Sequence, residues 1–79
     1  MRLTLTTHFR RQWSRLPAPA QAKVARALQK LHDGRGRRKG ISSKVGVFEM
    51  RVTGDLRLLW QYAGAGQIQV HAVVGHDGI

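Results

Sequence analysis

Cysteine is absent from these 79 residues, so neither a disulfide framework nor a thiolate zinc site can staple the fold. Acidic residues are scarce too: four Asp plus Glu stand against fourteen Lys plus Arg. With so few carboxylates a two-metal centre is not expected, and His8, His32 and His71 fall at no metal-ligand spacing. Long apolar runs are missing. The opening MRLTLTTHFRRQW alternates and then turns basic, without the apolar stretch of a secretory signal, and no span of roughly 20 apolar residues follows. We therefore expect a cytoplasmic chain with no membrane segment, no metal and no cofactor. Proline occurs only at Pro17 and Pro19, which leaves a single place where helical structure is interrupted. No internal repeat or second domain is visible.

What the chain does carry is positive charge, a formal +10 with an isoelectric point near 11.8. Such a surface repels itself and attracts polyanions, so nucleic acid or an acidic protein is the expected partner class. A chain this short buries one modest core and is only marginally stable alone. A bound partner is therefore expected to add stability.

Met1 to Thr6 alternates apolar residues with Thr and suits a short strand that joins a later sheet. Thr7 can cap a helix in which Phe9, Trp13 and Leu16 recur at helical spacing. The two prolines end that helix and open the next, since proline is tolerated in a first turn. From Pro19 to His32 the positions Ala20, Val24, Ala27, Leu28 and Leu31 form an apolar stripe, with Lys23, Arg26 and Lys30 opposite. Gly34 ends this second helix. The stretch from Gly34 to Lys44 is predicted to be a flexible basic loop whose Arg35, Arg37, Arg38, Lys39 and Lys44 either track an RNA backbone or are merely solvated.

Val47 to Asp77 contains three consecutive strand patterns. Period-two alternation sends Phe48, Met50 and Val52 to one face and Glu49 and Arg51 to the other. The second strand sends Leu56, Leu58, Trp60 and Tyr62 to the core and Arg57, Leu59 and Gln61 away. In the third, Ile68, Val70, Ala72 and Val74 oppose Gln69, His71 and Val73. A two-residue loop at Gly54-Asp55 would scramble these faces, whereas a three-residue loop, Thr53-Gly54-Asp55, preserves them, with Gly54 free to take positive φ. That register sets Arg51 opposite Arg57 and Glu49 opposite Leu59. Like charges opposed across strands are destabilising unless solvent, a carboxylate or an anion intervenes. Either both guanidiniums splay into water or they form an anion site. The last turn, Ala63 to Gly66, keeps Tyr62 and Ile68 in register.

The phrases FEMRVTGDLRLLWQY and VVGHD, in the order strand, two helices, three antiparallel strands, resemble the RelE/ParE superfamily of type II toxin–antitoxin toxins. The resemblance covers nearly the whole chain, and its most specific part is the hairpin around Arg57 followed one strand later by Gly75-His76-Asp77. It implies an α+β fold, β-α-α-β-β-β, with two N-terminal helices packed on one face of a small antiparallel sheet. Members of the ribonuclease branch cleave mRNA in the ribosomal A site, those of another branch inhibit DNA gyrase, and both are neutralised by an antitoxin. The implied partners are thus an acidic cognate antitoxin and either the ribosome with its mRNA or gyrase; an inactive relative that only binds antitoxin is a third alternative. Arg57 matches the arginine that contacts the scissile phosphate in the ribonucleases. Glu49 and Arg51 occupy positions that hold catalytic or phosphate-binding groups in several of them, and His76 falls where some carry a basic residue or histidine. Two departures stand out: Asp77 replaces an expected basic residue, and no tyrosine follows it.

Metal-independent RNA cleavage uses the substrate's own 2′-hydroxyl as nucleophile. The protein then supplies a base, charge stabilisation at phosphorus and an acid for the leaving 5′-oxygen; Glu49, Arg51 with Arg57, and His76 are the candidates in that order. The plainer alternatives are a structural ion pair for Glu49 and a solvated turn for His76.

Overall fold

The computed structural model describes residues 1–34, 39–41 and 44–75. Its elements run β1 (Arg2–Leu5), α1 (Thr7–Ser14), α2 (Ala18–His32), β2 (Lys39–Ile41), β3 (Lys44–Arg51), β4 (Leu56–Gly64) and β5 (Gln67–Gly75). One sheet takes all five strands in the order β1-β5-β4-β3-β2. This is the expected α+β arrangement with two differences. β1 pairs with β5 in parallel, so the sheet is mixed. A short β2 also forms within the stretch expected to be loop, antiparallel to β3 with Lys39 opposite Glu49. Glycines there exclude a helix, but a strand edge needs only main-chain donors and acceptors.

Local sequence accounts for the helix ends. The N-cap of α1 is Thr6, one residue earlier than predicted, and its hydroxyl accepts from the Phe9 amide at 3.0 Å. Pro17 caps α2 and Pro19 sits in its first turn. At the other end Gly34 adopts φ 73, the left-handed geometry that follows a helix terminus.

The core lies between the helices and one sheet face. Phe9 from α1 and Val24, Ala27 and Leu31 from α2 pack on Met50, Leu58, Trp60, Ile68, Val70 and Val73, with Trp13, Leu16 and Leu28 half-buried at its margin. The parity predicted for β3 and β4 therefore holds through Trp60. Tyr62 keeps that face but not its expected burial: the residue remains 39% exposed, and its ring meets Phe48 and Trp60 edge-on, with centroids 5.8 and 5.2 Å away. Burial of a phenol deeper in the core would cost its hydroxyl a partner. The β4–β5 turn is tighter than predicted, at Ala65-Gly66, yet Tyr62 and Ile68 still pair.

Candidate functional site

The β3–β4 hairpin carries the expected charge pair. Arg51 faces Arg57, Met50 faces Leu58 and Glu49 faces Leu59, so both arginines and the carboxylate start from the face that the helices leave uncovered. The turn closes differently from the prediction. Gly54 does not use positive φ; instead the Thr53 hydroxyl accepts from the amides of Asp55 at 3.1 Å and Leu56 at 3.0 Å. A threonine side chain thus replaces the left-handed glycine as the device that bends the chain.

The Arg57 guanidinium is held by the turn rather than splayed into water. Arg57 Nη1 donates to the carbonyls of Thr53 at 2.7 Å, Leu56 at 3.2 Å and Gly54 at 3.4 Å. It neutralises the carbonyl dipoles of the turn, and its residue is half-buried. Arg51 is exposed and reaches the other way, with Nη2 within 3.9 Å of where a β-carbon on Gly54 would stand. Glu49 is half-buried, one row further along β3 and in register with Lys39 of β2.

Beyond that row the uncovered face hollows into a groove of about 490 Å³ lined by Thr6, His8, Val47, Leu59, Gln61, His71, Ala72 and Val74. Its presence reverses a prediction. Leu59 pairs with Ala72 and Trp60 with Val70, so His71 is an extra residue on β5, a β-bulge of the kind that re-aims side chains. Past the bulge, parity inverts. Val73 enters the core, where Ala72 and Val74 were expected, and those two join the groove. The floor is consequently apolar, Leu59 and Ala72 being only 8% and 7% exposed, rather than mostly polar.

Residues of the α1 end of the chain hold the bulge. Thr6 Oγ1 donates to the His71 carbonyl at 2.9 Å, and the Val73 amide donates to Gln12 Oε1 at 2.8 Å. His71 Nε2 is buried at the wall with no hydrogen-bond partner among the described residues. Sequence reasoning missed Thr6 and Gln12 because nothing within β5 announces that its ladder is broken. Of the other predicted site residues, Lys39 and Lys44 lie in β2 and at the start of β3. Arg35, Arg37, Arg38, His76 and Asp77 lie outside the described residues.

The sequence matches no family model and no curated protein. Solved structures do match. A YoeB/ParE toxin from Agrobacterium tumefaciens superimposes with a TM-score of 0.74 at 19% identity, covering 96% of this chain and 99% of that one. The toxin–antitoxin complex RelBE of E. coli gives 0.76 at 14% identity over 92% and 93%. The chain has the RelE/ParE toxin fold. A YoeB–YefM complex from Staphylococcus aureus extends the likeness, with a TM-score of 0.75 at 13% identity over 96% and 97%. Within the RelE/ParE fold, the uncovered sheet face is the one that gathers Glu49, Arg57 and the groove.

Proposed function

We propose that this chain is the toxin of a type II toxin–antitoxin module and that it cleaves mRNA on the ribosome. The carrying observation is the hairpin register, which starts Arg51 and Arg57 opposite each other with Glu49 one row away on the uncovered face. In this proposal Arg57, held in place by the turn carbonyls, contacts the scissile phosphate. Orientation by pre-formed bonds lowers the cost of charge stabilisation in the transition state. Glu49 takes the proton of the attacking 2′-hydroxyl and His76 protonates the leaving 5′-oxygen. The apolar floor at Leu59 and Ala72 gives an adjoining base a surface to lie on. Arg35, Arg37, Arg38, Lys39 and Lys44 track the RNA backbone, and an acidic antitoxin neutralises the basic surface. The chain works in the cytoplasm.

Primer extension on cellular mRNA after induction tests this directly, comparing wild type with Arg57→Ala and Arg57→Lys, each checked for folding by circular dichroism. Wild type should cut within codons, Arg57→Ala should not, and Arg57→Lys should retain a fraction. A folded Arg57→Ala that remains as toxic as wild type dismisses the ribonuclease assignment. One observation favours the gyrase alternative, namely that three turn carbonyls already engage Arg57 Nη1. On that reading no mRNA ends appear, and supercoiling by purified gyrase falls when the chain is added. For the acid, His76→Gln should slow cleavage on programmed ribosomes most at about pH 6, where an imidazole is largely protonated and able to donate, and least at about pH 8.

A further inference from the structure

Lys23, Arg26 and Lys30 are exposed on α2. They lie three and four residues apart, so they form one stripe along α2 about 10 Å long. The stripe does not stand alone. It walls a groove of about 400 Å³ whose opposite side is the β3–β4 hairpin tip, with Arg51, Thr53 and Gly54. Four cations therefore face one hollow, and no carboxylate lines it among the described residues. The groove lies on the helix side of the hairpin, away from the groove over Leu59 and Ala72.

Like charges at these helical spacings destabilise the helix that carries them, and Arg51 adds a fourth from across the gap. In water that convergence carries a small cost, and a bound anion turns it into attraction. We propose that this groove seats the phosphate backbone of an RNA duplex. A uniformly charged polymer suits it because the lining offers scarcely any apolar side chain beyond Ala27 and Val52. An acidic peptide that folds on binding needs an apolar strip to offset its ordering. That strip is found instead on the other flank of α2, at Leu5, Phe9, Trp13 and Leu28. A duplex presents one negative charge per ~1.7 Å of axis, so the stripe spans about six. Arg51 thus lines this groove while standing opposite Arg57 in the hairpin register. The inference rests on the proposed function only in the choice of RNA among polyanions.

The full chain is titrated with a 2′-O-methyl RNA duplex, which cannot be cleaved by 2′-hydroxyl attack, so binding is read whether or not the chain is a nuclease. Wild type is compared with Lys23→Gln/Arg26→Gln/Lys30→Gln and with a control that removes equal charge elsewhere, Arg2→Gln/Arg11→Gln/Arg15→Gln. Each phosphate contact contributes roughly 0.9 to the slope of log affinity against log salt. The α2 variant should lose about 2 to 3 from that slope, so that the affinity lost between 50 and 200 mM salt shrinks by up to about 40-fold. The control should lose less than about 1. Equal losses in both variants would reduce the site to net charge and overturn it, as would an unchanged slope in the α2 variant. Displacement of the duplex by poly-glutamate at equal charge concentration, with the same dependence on Lys23, Arg26 and Lys30, would assign the groove to an acidic polypeptide instead.

Discussion

Two irregularities shape the uncovered face of the sheet, and they are held in opposite ways. At the β3–β4 hairpin the support is local, from Thr53 in the turn and Arg57 just beyond it. Thr53 caps the amides two and three residues on, and Arg57 reaches back four residues to the Thr53 carbonyl. At the β5 bulge the support is remote: Thr6 and Gln12 lie 65 and 61 residues from the groups they bind. Local bonds bend the chain wherever it goes, whereas remote ones exist only after β1 and α1 have docked beside β5. The hairpin thus needs little ordering beyond its own residues, and the bulge requires the whole domain. Chemistry divides along the same line. The hairpin supplies the charges of the candidate site, and the bulge supplies its apolar floor.

Removing the remote support should have the largest effect on stability. Gln12→Ala leaves the Val73 amide, on a residue only 5% exposed, without its acceptor, at a cost of about 1–3 kcal/mol. Urea unfolding measures the loss, and hydrogen exchange at Val73 should rise ahead of its neighbours. If Gln12→Ala unfolds at the wild-type midpoint, the bulge does not depend on α1. Thr6→Val keeps the shape but removes both the cap of α1 and the donor to His71, costing about 1–2 kcal/mol; Thr6→Ser should restore most of it. Its single site touches both elements, so its effect should be non-additive with Gln12→Ala, a coupling that a double-mutant cycle detects.

Changes at the hairpin should be milder for the fold. Arg57→Ala removes a charged donor from half-exposed carbonyls, and about 1–2 kcal/mol is expected once solvent screening is allowed for. The proposed activity should fall far more than this stability loss explains, which separates the residue's two roles. Thr53→Ala should cost about 1 kcal/mol and Thr53→Ser close to nothing, read from thermal midpoints. The α2 variant proposed for the ionic groove should gain roughly a few tenths of a kcal/mol at low salt, a gain that vanishes as salt screens the stripe.

Much of the candidate site could be read directly because its rules are short-ranged. Alternation assigned Met50, Leu58 and Trp60 to the core, and the requirement that faces stay matched selected the three-residue turn and hence the pairing of Arg51 with Arg57. The start of α1 and both ends of α2 were predicted to within a residue because capping depends on the nearest few side chains, whereas α1 stops at Ser14, short of the predicted Leu16. The same logic failed at Ala72, Val73 and Val74. Strict period two carried the parity through His71, while the folded chain inserts an extra residue there and inverts it.

Amino-acid order alone determined the charge imbalance, the order of the main helices and strands and the register of the hairpin, since each rests on composition or on contacts a few residues apart. Only the tertiary structure decided that β1 joins β5 in parallel, that Gln12 and Thr6 hold a bulge open, and that Arg51 turns toward α2 while Arg57 turns to its own loop. Those outcomes depend on which surfaces meet once the helices dock, and the partners that meet are dozens of residues apart in the chain.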